Sequence, residues 1–235
     1  MDGIKILTKD ISTVQEKQGL YENHLLYTQK PIMYRFSKRA VDIIAAILGI
    51  ILLSPIFLLT VAAILMEDGP GVIYTQERIG KNRKVFKIYK FRSMWKDADK
   101  LHEKLRKKYN NTEVSFKLTE DPRVTKTGKI IRKFNIDELP QLLNILAGDM
   151  SFVGPRPLPV YEYEEEQKRY GEKYIQRYSV PQGLTCYWQI SDRAKQSFET
   201  RMQQDVDYAA NCCISEDIKL MIKTLFFTIC GKAKY

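Results

Sequence analysis

The stretch from Ala40 to Met66, AVDIIAAILGIILLSPIFLLTVAAILM, decides the architecture. Apart from Asp42, Ser54 and Thr60 it is almost wholly apolar, and it exceeds the roughly 20 residues that a helix needs to span a bilayer. A buried helix of a soluble domain would rarely be so long and so uniform, so the segment is expected in lipid. A single straight transmembrane helix is the default for such a stretch. Two features favour another path. Pro55 sits near the middle, where it removes a backbone donor and clashes with the preceding turn, so the helix should kink. Ser54 beside it can satisfy the carbonyl set free, which makes the break tolerable in lipid. In addition, both flanks are basic: Lys30, Arg35, Lys38 and Arg39 precede the segment, and Arg78, Lys81, Arg83, Lys84, Lys87, Lys90 and Arg92 follow it. Positive charge stays on the cytoplasmic face. A re-entrant helix-break-helix meets both demands, each half reaching roughly 20 Å deep at about 1.5 Å per residue. Asp42, one turn from Lys38 and Arg39, is then expected as a paired interfacial charge rather than a buried one.

The anchor divides the chain into an N-terminal extension (1–33), the membrane segment (34–67) and a body (68–235) expected on the cytoplasmic face. The extension mixes charges throughout, without the apolar core of a cleavable signal peptide. In the body, two short strands, Val72 to Gln76 and Val85 to Phe91, flank a turn containing Gly80 and Asn82. A charged helix is expected over 96–109, and a basic segment follows with Ile130 and Ile131 as core contacts. Leu139, Leu142, Leu143 and Leu146 recur at helical spacing, with Pro140 tolerated early and Gly148 placed to end the helix. Asp137 and Glu138 then fall at a helix N-terminus, where the dipole favours carboxylates and free amides bind phosphate. By themselves they would pass as helix caps, the common reading of acidic residues at a helix start. A solvated, charged helix is expected over 161–178. The final apolar stretch with spaced lysines, DIKLMIKTLFFTICGKAKY, reads either as a core helix or as a basic amphipathic helix on the headgroups.

Composition narrows the chemistry. The 235-residue chain carries a formal charge of +10, which points to a polyanionic partner: nucleic acid, anionic lipid or phosphorylated substrate. The four cysteines (186, 212, 213 and 230) have no CxxC spacing and no histidine-rich companion segment, so they read as reduced, mostly packed thiols rather than a zinc site. His24 and His102, the two histidines, lie in charged surroundings, so chemistry should fall to carboxylates, Lys and Arg.

Four blocks carry a resemblance to a known family: KRAVDIIAAILGIILLSPIFLL, QERIGKNRKVFKIYKFRSM, DPRVTKTGKIIRKFNIDELPQLLNILAGDMSFVGPRP and GLTCYWQIS. In this order, over residues 34–232, the chain resembles the bacterial sugar transferases, the monotopic polyprenyl-phosphate phosphoglycosyl transferases, and within them the small class without extra N-terminal membrane helices. The resemblance implies an α+β fold: one re-entrant membrane helix broken at Ser54 and Pro55, and a mainly helical catalytic domain carrying a small β-hairpin. It implies a catalytic dyad of Asp137 and Glu138, a phosphate-binding Arg132, a nucleotide-associated Arg156 in GPRP, and a Lys38, Arg39 and Asp42 signature where the chain enters the membrane. Lys90 and Arg92 are expected beside the substrate as well. Also implied is Mg2+, held by Glu138, and a ping-pong route through phospho-Asp137. In it a UDP-sugar yields its sugar phosphate to polyprenyl phosphate with release of UMP, which begins a surface glycan at the bacterial inner membrane.

The physics of the reaction agrees: a carboxylate nucleophile splits a transfer between two anions into easier steps, while cations offset the phosphoryl charge. Contacts with other glycan-assembly enzymes and a homodimer are compatible with the sequence. Asp192, Arg83 and ANCCISED depart from the family pattern and leave substrate preference and any role of Arg193 open. A non-catalytic membrane scaffold of a polysaccharide assembly complex is the alternative, opposed by the intact DELPQ and GPRP motifs. A tethered nucleic-acid binder has only charge and tyrosine content in its favour. UMP release would separate the enzyme from both.

Overall fold

The computed structural model describes residues 30–96, 98, 121–190 and 196–229. Most of the N-terminal extension, most of the helix expected over 96–109, and Asp192, Arg193 and Cys230 lie outside them. The chain opens with one long apolar helix, α1 (Ile32–Asp68), which passes through Pro55 without interruption in its helical backbone. The Ser54 hydroxyl donates to the Ile51 carbonyl at 2.8 Å. That carbonyl is the one a residue at position 55 would bond through its N–H, so serine repairs the bond that proline deletes. One flank of α1 packs on the body; the other leaves Ile44, Leu48, Ile51, Leu52, Leu58 and Leu59 exposed, the mark of a helix that meets lipid.

The body is predominantly helical around two small sheets. Strands β1 (Ile73–Ile79) and β2 (Val85–Phe91) form the expected hairpin, with Ile73 opposite Phe91 and Ile79 opposite Val85. β1 runs three residues further than the sequence suggested. Its turn, a 3-10 segment Lys81–Arg83, places Asn82 and Arg83 at positive φ. Helix α2 (Lys126–Lys133) is capped by the Thr125 side chain and, across space, by Glu67 of α1, which accepts from the Lys126 and Thr127 amides at 2.7 and 2.8 Å. Of its isoleucine pair only Ile131 is buried; Ile130 faces outward.

Helix α3 (Gln141–Ala147) presents Leu142 and Ile145 to a core shared with Ala46 of α1 and Phe86 and Ile88 of the hairpin. Buried Asn144 accepts from the Tyr89 amide and donates to the Lys87 carbonyl, a side chain serving as the missing neighbour of β2. β3 (Ser151–Val153) pairs in parallel with β4 (Gly183–Thr185). Gly154 and Gly183 let the two backbones meet: a Cβ at Gly183 would lie 2.1 Å from the Gly154 nitrogen.

The charged stretch over 161–178 departs from the solvated helix expected of it. It divides at Gly171, which has positive φ, into α4 (Val160–Tyr170) and a 3-10 segment Gly171–Tyr178. Its Glu162, Glu166, Tyr174, Arg177 and Tyr178 are buried, because α5 (Phe198–Asn211) covers them with Arg201 and Asp205. Charges on a periodic helix look solvated only until the covering element supplies their counter-charges.

A sixth helix, α6 (Ile214–Ile229), is buried at Leu220 and exposed along Ile218, Ile222, Leu225 and Phe226. Where α1 and α6 meet, the expected surface pairing of Asp42 fails. Asp42 is buried and accepts from Ser151 Oγ at 3.0 Å and the Phe152 amide at 2.9 Å. Lys38 instead pairs with buried Asp217 of α6 at 2.8 Å and also donates to the Val153 carbonyl. Arg39 closes on the carbonyls of Ile145 and Leu146 at the end of α3. The entire basic-plus-Asp signature thus fastens the first turns of α1 to the body.

Candidate active site

Between α2 and α3 the chain turns through Asn135, in the left-handed region, into a 3-10 segment Ile136–Glu138. The two carboxylates sit in this turn, one turn before α3 begins at Gln141, rather than in the helix's own first turn as the leucine spacing suggested. Both are buried, Asp137 5% and Glu138 6% exposed. Two unpaired carboxylates so close in a dry setting would be strongly unfavourable; the cations around them decide their state.

Glu138 is the hub. Lys90 of β2 donates to its Oε1 at 3.1 Å, and Arg156 reaches across from the loop after β3 with both terminal nitrogens, Nη2 to Oε1 and Nη1 to Oε2. Gln189 of the 3-10 segment Tyr187–Ile190 adds a weaker donation to Oε2 at 3.4 Å. Burial alone would raise the Glu138 pKa, but the charges of Arg156 and Lys90 and their hydrogen bonds outweigh it and hold the carboxyl well below the usual range. Glu138 is therefore a fixed anion.

Asp137 is pushed the other way. Burial, then the neighbouring Glu138 charge, lifts it to about 6, against the opposing pull of Lys90, Arg132 and Arg156. Its Oδ1 is shielded from solvent and has no hydrogen-bond partner among the described residues. Such an atom is costly in a resting protein, and perturbed carboxylates of this kind concentrate where chemistry is done. Arg132 projects from α2, with its Nε donating to Ser93 Oγ at 2.8 Å. A Cβ at Gly128 would lie 2.0 Å from the Ser93 carbonyl, so only glycine lets α2 approach that strand end closely enough for the contact.

Of the expected site residues, Asp137, Glu138, Arg132, Arg156 and Lys90 come together. Arg92 has another occupation. Its guanidinium donates to the carbonyls of Asp68, Gly69 and Pro70 and pairs with the Asp68 carboxylate, closing the C-terminus of α1. Ser54 and Pro55 belong to α1, apart from the carboxylates. Two contributors escaped the sequence reading. Gln189 comes from the GLTCYWQIS block, whose order carries no hint of a contact with Glu138. Arg78, on β1, adds a fourth cation felt by both Glu138 and Arg156. Four cations against two carboxylates leave an excess of positive charge. A phosphate would complete it.

No group of three or more metal-binding side chains occurs among the described residues. The donor set nevertheless fits one arrangement for Mg2+, which binds through one or two carboxylates and lets substrate phosphates and water complete its shell. Asp137 Oδ1 is the available oxygen. Both Glu138 oxygens already accept from cations, so the metal role expected of Glu138 competes with Lys90 and Arg156.

Comparison with known proteins gives the family. Residues 33–231 match the bacterial sugar transferase family, so the chain belongs to that family. The chain is 39% identical over 216 residues to the galactosyl transferase CpsE of Streptococcus agalactiae serotype III, covering 90% of this chain and 47% of that protein. It is 40% identical over 206 residues to the exopolysaccharide production protein ExoY of Sinorhizobium fredii, 85% of this chain and 88% of the relative. Identity is 37% over 194 residues with the undecaprenyl-phosphate galactose phosphotransferase of Salmonella typhimurium, 81% of this chain and 40% of the relative. The chain thus spans about half or less of the first and third of these, and most of the second.

Proposed function

We propose that this chain transfers a sugar 1-phosphate from a UDP-sugar to polyprenyl phosphate, with Asp137 as the nucleophile. The observation that carries the reading is the buried, unpartnered Asp137 Oδ1 beside Lys90, Arg132 and Arg156. Oδ attacks the β-phosphorus, the bond from that phosphorus to the bridging oxygen breaks, and UMP leaves with the electron pair. A polyprenyl phosphate oxygen then attacks the same phosphorus and expels the Asp137 carboxylate. Sugar, phosphate and charge balance over the two steps, and each step is an ordinary displacement on a phosphoryl group.

Glu138 does not attack. Its role is to draw Lys90 and Arg156 into the positions from which they bind the phosphoryl oxygens, and bidentate guanidinium contact suits Arg156 to that task. Arg132, anchored on Ser93, supplies further positive charge from α2. Mg2+, when bound, would offset charge on the transferring phosphoryl group, and Asp137 Oδ1 is the oxygen that could hold it.

The anchor fits a lipid substrate. α1 is fastened to the body at both ends, through Lys38 and Asp42 near its start and Glu67 near its finish. With both ends and the inner flank on one body and the outer apolar flank bare, α1 would rest in one leaflet, its course bent at Pro55, and the carboxylates would sit at headgroup depth on the cytoplasmic face of the inner membrane. Trapping with a labelled UDP-sugar tests the chemistry: label stays covalently on the wild type and is absent from Asp137→Asn.

A further inference from the structure

Arg156 sits in the run Gly154-Pro155-Arg156-Pro157-Leu158-Pro159. Three prolines leave this loop short of backbone donors with which to brace itself. Yet a side chain that must present a fork to a phosphoryl group tolerates little movement, since a misplacement of about 1 Å can cost on the order of a hundredfold in rate. The bracing comes from elsewhere. Arg177 Nη2 donates to the Arg156 carbonyl at 2.7 Å, and Arg78 Nη1 donates to the next carbonyl, that of Pro157, at 2.9 Å.

Each guanidinium is itself held. Arg177 is wholly buried, donates to Asp205 Oδ2 of α5 at 2.7 and 3.2 Å, and lies 4.8 Å over the Tyr178 ring. Arg78 donates to Gln76 Oε1 at 2.7 Å, and the next residue, Ile79, joins the same loop through its amide to the Leu158 carbonyl at 2.9 Å. Burial and then the neighbouring Arg156 charge bring Arg78 down to about 10, so it remains charged at neutral pH.

We infer that Arg78 and Arg177 are positioning residues that clamp consecutive carbonyls of the proline-rich loop and so aim Arg156 at Glu138 and the transferring phosphate. The inference rests on the phosphotransferase reading above. A lysine at either position would keep the charge but lose the planar fork that grips a carbonyl and a second partner together.

The experiment is a double-mutant cycle on the full-length, detergent-solubilised chain, read as UMP release from a UDP-sugar that the wild type turns over. R78K is expected to lower kcat/KM about tenfold or more, chiefly through kcat, because a loosened Arg156 no longer meets the transferring phosphoryl group in register. In an R156A background, followed by radiolabel to detect slow turnover, the same substitution should change the rate less than about twofold. R177K goes through the same cycle with the same expectation. An equal loss from R78K in both backgrounds, or a loss confined to KM, overturns the positioning role. So does failure of both lysine variants to fold by thermal melt, which would mark the arginines as general supports of the core. A wild type that releases no UMP from any UDP-sugar instead sinks the underlying reaction, a distinct result.

Discussion

At the scale of single residues, the same cations act on two adjacent carboxylates with opposite results. Arg156 and Lys90 lie on Glu138 directly and keep it ionised, whereas Asp137 receives their field at longer range and the Glu138 charge at short range. The sign is then fixed. Asp137 attacks only as a carboxylate, so kcat/KM should climb as pH rises through about 6 and fall away below it. Glu138→Gln removes the charge that raises Asp137, so the residual activity of that variant should show its acid limb at lower pH. An unmoved or raised limb would contradict the assignment. The closeness of Asp137 and Glu138 was legible in the sequence because they are neighbours inside a motif. Gln189, Arg78 and Arg177 were not, because their partners lie 51, 79 and 21 residues away and the folded chain alone brings them together. Arg92 shows the converse: its charge advertised a phosphate, while its fork serves the carbonyls that end α1.

At the scale of elements, the site depends on how α3 and α1 are fastened. Asn144 links α3 to β2 next to Lys90, and its removal takes away the side-chain partner of the half-buried Tyr89 amide and Lys87 carbonyl. Asn144→Ala should cost roughly 2–3 kcal/mol in a thermal or denaturant melt, from those two groups together. A cost below about 0.5 kcal/mol would mean that water replaces the side chain freely. Lys38→Met strands the buried Asp217 carboxylate, so about 3–5 kcal/mol should be lost, with Lys38→Met/Asp217→Leu recovering most of it in the same melt. The hairpin and α3 were readable from alternation and leucine spacing, since both periodicities span a whole element. The β3–β4 pair was not. Three residues per strand carry no period, and its register is set by Gly154 meeting Gly183.

At the scale of the whole molecule, the apolar faces of α1 and α6 and the turn bearing Asp137 and Glu138 belong to one body whose excess charge is positive. The account places both ends of α1 on one side of the bilayer. Single cysteines at Pro31 and Pro70, both exposed, in a background with Cys186, Cys212, Cys213 and Cys230 all changed to serine should therefore react with a membrane-impermeant thiol reagent only from the cytoplasmic side. Periplasmic labelling of position 31 would replace the re-entrant path with a simple span. The hydrophobic segment was the clearest feature of the sequence, but its course was not, because hydropathy reports what a helix touches and not where its two ends are tied. The most direct test of the central claim remains covalent capture. Purified chain is incubated with a UDP-sugar labelled at the β-phosphate, quenched in acid and digested. The account predicts label on the peptide bearing Asp137, chased off by polyprenyl phosphate and absent from Asp137→Asn. Label on any other residue, or UMP release by Asp137→Asn at the wild-type rate, would contradict it.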